Sequence, residues 1–266
     1  MFYILLIKLR IKYISETFKF CKSLEQIALP QNLKEIGNNG FKNCSSLLNI
    51  SIPSSVLKIK NDAFSFCTSL KSISIPSSVQ SICSYAFANC TSLTQVSIPT
   101  SVQFIGTYAF TSCISLKRVI IPSSVKKIES FAFSNCSRLE NVIIQSSIDA
   151  ISSSMTSIES YAFNRCTSLK EILIPSTVSS IGQNAFNCCT SLKKIIIPSS
   201  LTSIEDSTFQ YCDSLEEVSI PPSLESIGNN AFYNCSSLSN ITIPPSVKKI
   251  GYHAFSEIAI YWAILV

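Results

Sequence analysis

Charged residues are scarce in this chain of 266 residues: they make up 14% of it, and the net charge is +5. A disordered chain would be richer in charge and poorer in apolar residues than the 46% found here, so the composition indicates a folded protein. The dense basic stripe typical of nucleic-acid-binding proteins is missing. We therefore expect no nucleic-acid partner.

Residues that carry catalytic or cofactor chemistry are equally scarce. A single histidine, His253, leaves no Ser–His–acid or Cys–His set to build. Six glycines form no glycine-rich phosphate loop, and the twelve cysteines include no Cys-x-x-Cys pair of the kind that zinc sites use. The sequence therefore predicts no enzyme, no cofactor and no metal site.

Long apolar runs are absent too. Residues 1–7 are apolar but too few for a secretory signal, and Lys8 and Arg10 follow that stretch rather than precede it. The apolar residues 258–266 fall well short of the roughly 18 that indicate a membrane span. We expect no membrane span, and the compartment stays open.

What the chain does contain is a phenylalanine that returns every twenty-three residues, with one interruption. Such a period is typical of repeat proteins, in which each unit packs mainly against its neighbours. The members of the series are Phe18, Phe41, Phe64, Phe87, Phe110, Phe133, Phe163, Phe186, Phe209, Phe232 and Phe255.

Each repeat carries one apolar frame, which after Phe110 consists of Cys113, Leu116, Val119, Ile121 and Pro122. The alternation at Val and Ile predicts a short strand with one buried face, and proline ends that strand because it has no N–H to donate. Phe and Cys three residues apart would share a face of one helical or 3₁₀ turn. The predicted fold is a leucine-rich-repeat solenoid, with one parallel strand per coil and that turn on the far side.

One solenoid of about ten to eleven coils is predicted for residues 1–266, with an irregular insertion at 145–157. The spacing from Phe133 to Phe163 is thirty residues, and Gln145 stands where the neighbouring repeats have proline. We interpret residues 148–154 as a serine-rich loop. It is either a tolerated insertion or a hinge or binding loop.

Both ends of the chain are irregular. Ile14 lies one residue closer to Phe18 than the repeat requires. A first strand is predicted at Leu6, Leu9 and Ile11, and the positions of a last coil are assigned to Ile258, Tyr261, Ile264 and Val266. The ends leave open a fragment of a longer protein or pairing with another molecule, and the oligomeric state is not determined.

Ten of the twelve cysteines occupy one position of the repeat, and Cys83 and Cys188 lie outside it. A disulfide requires Cβ atoms about 3.8 Å apart, whereas side chains on neighbouring coils stay about 4.8 Å apart. We therefore predict free thiols that fill the core. The ten are Cys21, Cys44, Cys67, Cys90, Cys113, Cys136, Cys166, Cys189, Cys212 and Cys235.

One outward strand position is apolar in four successive coils and small or polar in all the others. An exposed apolar strip with a polar rim is typical of a protein-binding surface, although β-propensity without any ligand is the alternative explanation. The candidate ridge is Ile120, Ile143, Leu173 and Ile196, beside Arg118, Asn141, Glu171 and Lys194, with Lys117, Lys170 and Lys193 as a basic border.

The run Ile-Pro-Ser-Ser-Val-x-x-Ile-x-x-x-Ala-Phe-x-x-Cys-x-Ser-Leu, nearly intact from Ile121 to Leu139, resembles the BspA-type leucine-rich repeat over about residues 14–255. The resemblance implies a parallel-stranded solenoid, often displayed at the cell surface or secreted, that binds host-cell or extracellular-matrix proteins. It carries over no site residue, because the motif residues are structural. The expected function is a non-catalytic protein-binding repeat protein similar to surface adhesins and antigens.

The sequence leaves three other interpretations. An intracellular scaffold or interaction module is the alternative, and it is favoured by the missing signal segment. An enzyme would need a catalytic cluster that the sequence does not contain, and a fragment would have no independent role.

Overall fold

The computed structural model describes residues 2–5, 10–145, 155–259 and 264–265. Two series of short parallel strands run along the molecule, and each coil contributes one strand to each series. Within the described residues, the hydrogen-bonded ladders divide the first series into four sheets and the second into two, and we refer to each series as one sheet for brevity. The first series, called the first sheet, consists of β1 Phe2–Leu5, β3 Leu24–Ala28, β5 Asn49–Ile50, β7 Ser72–Ser74, β9 Gln95–Ser97, β11 Arg118–Ile121, β13 Asn141–Ile144, β15 Glu171–Ile172, β17 Lys194–Ile196, β19 Glu217–Ser219, β21 Thr242–Ile243 and β23 Ile264–Leu265.

The second sheet is built from two-residue strands that each end on an isoleucine, usually buried. Its strands are β2 Tyr13–Ile14, β4 Glu35–Ile36, β6 Lys58–Ile59, β8 Ser81–Ile82, β10 Phe104–Ile105, β12 Lys127–Ile128, β14 Ser157–Ile158, β16 Ser180–Ile181, β18 Ser203–Ile204, β20 Ser226–Ile227 and β22 Lys249–Ile250.

The register of the first sheet aligns equivalent residues of successive coils. In the pair β11–β13, Arg118 lies opposite Asn141 and Ile120 opposite Ile143. Along β11 the side chains alternate between exposed and buried, as a strand with one face on the core requires. The predicted strand and its buried face are therefore confirmed.

The core is one continuous cluster of buried side chains, and the repeating phenylalanines form a stack at its centre. We call this stack, from Phe18 to Phe255, the Phe column. Neighbouring ring centroids lie 5.2–5.6 Å apart with nearly parallel planes. The nine rings from Phe41 to Phe232 are completely buried. No coil encloses its own ring, so each coil depends on its neighbours for burial.

The far-side segment differs from the predicted helical or 3₁₀ turn. Overlapping hydrogen-bonded turns replace it: Ala109 N–H donates to the Gly106 carbonyl at 3.0 Å, and Cys113 N–H to the Phe110 carbonyl at 3.2 Å. The third residues of these two turns, Tyr108 and Ser112, have φ of 58° and 57°. A positive φ at that position is typical of type II turns and interrupts a helix, which needs successive negative values.

The insertion leaves the stack of coils unbroken. Met155, a buried residue, takes the position that Val125 holds one coil earlier, and Ser157 pairs with Lys127 at the start of β14. The Phe133 and Phe163 rings remain 5.5 Å apart. The regular coil therefore resumes at Met155, inside the segment that we had assigned to the insertion. The serine-rich loop predicted at 148–154 lies outside the described residues.

At the start of the chain the predicted strand frame differs from the observed one by five residues, because Ile4 occupies the place opposite Ile27 that the prediction gave to Leu9. The first strand is β1, where Ile4 pairs with Ile27, rather than the segment Leu6–Ile11. Leu6 and Leu9 lie outside the described residues, and Ile11 is half-buried against the core. A repeat of twenty-three residues puts residue 4 opposite Ile27, and this register outweighs the local resemblance to the strand frame.

The shortened first coil follows prediction, since Ile14 pairs with Ile36, twenty-two residues on. At the other end, Ile264 pairs with Thr242 rather than with Ile241, so the last strand is shifted by one residue from the predicted frame. A shift of one residue exchanges the two faces of a strand. Ile258 is half-buried against the core, and Tyr261 and Val266 lie outside the described residues.

Candidate functional site

Four aliphatic side chains project outward in successive coils, three of them from strands of the first sheet and Leu173 from the residue directly after β15, and we call them the aliphatic ridge. The alternation of the strands turns them outward while their neighbours Val119, Val142, Ile172 and Ile195 enter the core. Their exposed fractions are 37% for Ile120, 39% for Ile143, 75% for Leu173 and 50% for Ile196. These large apolar side chains therefore meet solvent at the positions predicted.

The same position is small or polar in the six other coils from β3 to β21, whereas the register places Leu5 and Ile264 there in the first and last strands. Its occupants in those six coils are Ala28, Ser51, Ser74, Ser97, Ser219 and Thr242. Because the backbone register is unchanged, the ridge differs from its surroundings only in side-chain size and polarity. The chain thus contains its own matched polar surface on both sides of the ridge.

The predicted rim residues lie beside the ridge, and all of them are exposed. Arg118 pairs in register with Asn141, and Asn141 with Glu171. Lys194 donates to both carboxylate oxygens of Glu217 at 2.8 Å. An exposed ion pair contributes at most about 1 kcal/mol to stability. The rim side chains can therefore leave such pairs and bind to groups of a partner protein.

The basic border is also partly paired within the protein. Lys170 Nζ lies 3.3 Å from Glu140 Oε2, with both side chains largely exposed. Across the four ridge coils the rim contains five basic residues and two acidic ones, Glu140 and Glu171, so its net charge is +3. A positive rim favours partners with acidic groups next to their apolar contact surface.

Two shallow depressions flank the ridge, and Arg118 borders both of them. One, of about 450 Å³, lies over the small side chains of Ser74 and Ser97 and ends at Ile120. The other, of about 430 Å³, lies between Ile143 and Leu173. The surface therefore combines raised aliphatic groups with recesses into which a partner's side chains can fit.

The cysteines lie where the repeat predicted, and nine of the ten in the column are buried while Cys21 is half-buried. Sequence reasoning missed their hydrogen bonds. Each thiol from Cys44 onward donates to the phenylalanine carbonyl of the preceding coil, as Cys136 Sγ does to Phe110 at 3.2 Å. The same carbonyl accepts the N–H of Cys113. The column thus adds one weak donor per coil to the backbone ladder.

Burial controls the ionisation of these thiols. Desolvation raises the pKa of Cys90 and of Cys136 from 9.0 to about 12, although the hydrogen bond from the neighbouring cysteine's backbone acts in the opposite direction. The neutral form therefore dominates at physiological pH. A protonated thiol is a poor nucleophile and a poor metal ligand.

The remaining titratable residues are dispersed. His253 is exposed and its Nδ1 lies 3.2 Å from Ser256 Oγ. Within the described ranges, no three His, Cys, Asp or Glu side chains come together as a metal would require. The same part of the chain contains no helix with the length and apolar character to cross a bilayer.

The turn side of the molecule carries a feature that the sequence analysis did not recognise. Four aromatic rings in successive coils stack along it, with centroids 4.5–4.6 Å apart. We call them the aromatic ladder: Tyr85, Tyr108, Phe131 and Tyr161. In the sequence, the aromatic ladder is indicated by an aromatic residue two positions before the phenylalanine of four successive repeats.

Comparison with known proteins identifies a family that the chain matches. The model of the BspA-type leucine-rich repeat region, with 6 copies, matches residues 6–102, 58–155 and 150–260. A leucine-rich repeat protein from Bacteroides ovatus is 31% identical, with a TM-score of 0.67, and the match covers 93% of this chain and 74% of that one. No curated protein matches the chain.

Two further solved structures are similar. A leucine rich cell surface protein from Faecalibacterium prausnitzii is 30% identical over 98% of this chain and 88% of its own, with a TM-score of 0.51. The T. pallidum leucine-rich repeat protein is 29% identical over 64% of this chain and 78% of its own, with a TM-score of 0.58.

Proposed function

Because this chain belongs to the BspA-type leucine-rich repeat family, we propose that it is a non-catalytic protein-binding repeat protein that acts through the aliphatic ridge. A solenoid presents an extended surface whose outward residues vary without disturbing the core. The ligand of such a protein is expected to contact several coils at once.

The observation that carries the proposal is the contrast within one column of the first sheet. Four aliphatic residues stand together, while serine, threonine or alanine occupies the same position in the flanking coils from β3 to β9 and from β19 to β21. Leu173 is 75% exposed, so burying it against a partner would contribute roughly 1.5–3 kcal/mol. A contiguous apolar strip with a charged rim is a common form of protein interface.

We further propose that the protein acts as an adhesion or antigen protein at the cell surface, with host-cell or extracellular-matrix proteins as partners. The support is the 30% identical relative that is described as a leucine rich cell surface protein. Surface biotinylation of intact cells tests this part independently. Labelling of the protein supports display at the surface, whereas labelling only after lysis favours an intracellular scaffold.

The ridge itself is tested by charge substitution. The double variant Ile143→Asp with Leu173→Asp should weaken binding to immobilised fibronectin, laminin or collagen by at least about tenfold, because two apolar contacts are replaced by hydrated charges. The matched control is Ser51→Asp with Thr242→Asp, which adds the same charge to the same column outside the ridge.

Thermal unfolding of both variants should remain close to that of the unmodified protein, since all four positions are exposed. Binding that survives the ridge variant unchanged, or that falls equally in the control, would reject the ridge as the interface. Binding to none of the three matrix proteins would reject the proposed partner class.

A further inference from the structure

A groove of about 500 Å³ runs along the turn side of the molecule, across five coils from Tyr108 to Tyr211. We call it the turn-face groove. One wall is formed by three rings of the aromatic ladder. The groove is separate from the aliphatic ridge, which lies on the first sheet.

The walls are positioned by the backbone of the turns. Two residues in each coil adopt a positive φ, such as 60° at Tyr161 and 59° at Arg165. Because the left-handed conformation recurs at the same two places, the side chains form two parallel rows, one on each side of the groove. Such conformations are costly for residues other than glycine and asparagine, so bulky residues there are unusual.

The floor between the rows is polar. It is formed by Thr111, Ser134, Asn164 and Asn187, one from each of four successive coils. Asn164 Nδ2 donates to Ser134 Oγ at 3.4 Å, and Asn187 Nδ2 donates to Gln210 Oε1 at 3.1 Å. Hydroxyl and amide groups therefore repeat along the groove with the spacing of the coils.

Arg165 is the single charged residue among those that line the groove. It is exposed and forms no ion pair with any residue that the structure describes. Among the described coils Arg165 is the single basic residue at this position, which is otherwise occupied by polar residues such as Asn135, by aromatic residues such as Phe66 and by Glu257. The guanidinium group offers two parallel N–H donors that match a carboxylate.

The ladder rings in the groove contribute mainly edges, and Tyr211 adds a further ring that meets Tyr233 edge to face. The rings of Tyr108, Phe131 and Tyr161 cover one another at 4.5 Å, so the outward parts are ring edges and the two phenolic hydroxyl groups. No aliphatic side chain lines the groove. A ligand therefore finds aromatic but no aliphatic groups among the lining residues, while a hydroxyl-rich ligand finds donors and acceptors along the whole length.

We propose that the turn-face groove binds an extended acidic glycan, a chain of sugar units that carry carboxylate groups. The repeated hydroxyl and amide groups of the floor bind the sugar hydroxyls. Arg165 binds a carboxylate, and the tyrosine hydroxyl groups add contacts along one side. A repeating ligand suits the groove because the protein groups repeat with it.

The test is calorimetric titration of the purified full chain with hexagalacturonate, beside maltohexaose as the neutral oligosaccharide and hexaglutamate as the acidic peptide. Hexagalacturonate should bind, and the other two should bind at least about tenfold more weakly. The variant Arg165→Gln should weaken hexagalacturonate binding about tenfold. Arg138→Gln, which removes an exposed arginine outside the groove, should leave it unchanged.

Each opposite result overturns the proposal. No binding of hexagalacturonate, equal binding of hexaglutamate, or equal effects of Arg165→Gln and Arg138→Gln would exclude an acidic-glycan site in the groove. Both variants alter exposed side chains, and unchanged thermal unfolding shows that a loss of binding is not a loss of fold.

Discussion

Two stacks of aromatic rings run along this protein, and their members lie two positions apart in the sequence but differ in burial. The Phe column contains eleven rings inside the core, with centroids 5.2–5.6 Å apart. The aromatic ladder contains four rings at the surface, 4.5–4.6 Å apart. Phe131 and Phe133 belong to different stacks although only one residue separates them.

The difference shows that aromatic rings can stack in successive coils whether or not the core needs them for its packing. The spacing of the coils brings equivalent side chains together on either side of the backbone. In the core, removal of one ring leaves a cavity, so phenylalanine recurs in every coil. On the turn side, Asn184, Ser207 and His253 replace the aromatic residues in later coils. Solvent fills that space, and the position is open to function.

The largest expected effect concerns the thiols next to the Phe column. Their folded-state pKa is raised, to about 12 for Cys90 and Cys136, above the unfolded value of 9.0. The stability from neutral, buried thiols is therefore fully present below about pH 9 and is lost as pH rises toward about 12. The loss is on the order of 1 kcal/mol per thiol per pH unit.

Denaturant unfolding followed by circular dichroism between about pH 8 and about pH 11 measures this loss. Several thiols titrate together, so the chain should unfold cooperatively within that range, with thiolate absorbance appearing in the same transition. A chain that stays folded while the thiolate signal rises would show that the cysteines are accessible.

The next largest effect is the loss of stability expected when one ring of the Phe column is removed. Phe133→Ala should lower the free energy of unfolding by about 3–5 kcal/mol, because the ring is completely buried between Phe110 and Phe163. Urea unfolding gives the value. A loss below about 1 kcal/mol would mean that the neighbouring coils collapse into the space or that the ring is not internal.

A smaller effect is expected at the thiol hydrogen bonds. Cys136→Ala removes the donor to the Phe110 carbonyl and a small buried volume, so we expect a loss of about 1–2 kcal/mol. Cys188→Ala is the matched control, because this half-buried thiol lies outside the column and bonds only to the side chain of Asn187. If Cys136→Ala and Cys188→Ala lose the same free energy in urea unfolding, the hydrogen bonds of the cysteine column do not contribute specially to stability.

The smallest effect belongs to the aromatic ladder. Phe131→Ala should cost about 1 kcal/mol, since the ring loses stacking with Tyr108 and Tyr161 and is only half-buried, whereas Phe133 is completely buried. Phe131→Asn should be closer to neutral, because asparagine tolerates the φ of 59° found there. A loss comparable with that of Phe133→Ala would show that the ladder supports the fold.

Much of the fold could be predicted from the repeat, because the repeating apolar residues are those that the core buries. The alternation at Val119 and Ile121 identified the buried face of the strand, and the outward position identified the aliphatic ridge. The turns were misread because Phe and Cys three residues apart also share a helical face. The choice between helix and turn rests on the sign of φ at Tyr108 and Ser112, which depends on bonds to the neighbouring coil.

The ends of the chain were harder for the same reason. Near residue 6 two frames fit the apolar pattern, and only pairing of Ile4 with Ile27 selects between them. The turn-face groove was not visible either, since its walls come from five coils and its shape depends on backbone conformation. Residue identities alone do not predict the direction in which a side chain projects from a position with a positive φ.

By itself, the sequence determined which side chains are hidden, because a period of twenty-three residues returns the same apolar set to one interior. It also determined that the coils stack in parallel, since none of them encloses its own ring. The tertiary structure alone decided the conformation of the turns, the register of the outermost strands and the grouping of polar residues into a groove. Those features arise from hydrogen bonds and contacts between coils, which bring together residues far apart in the chain.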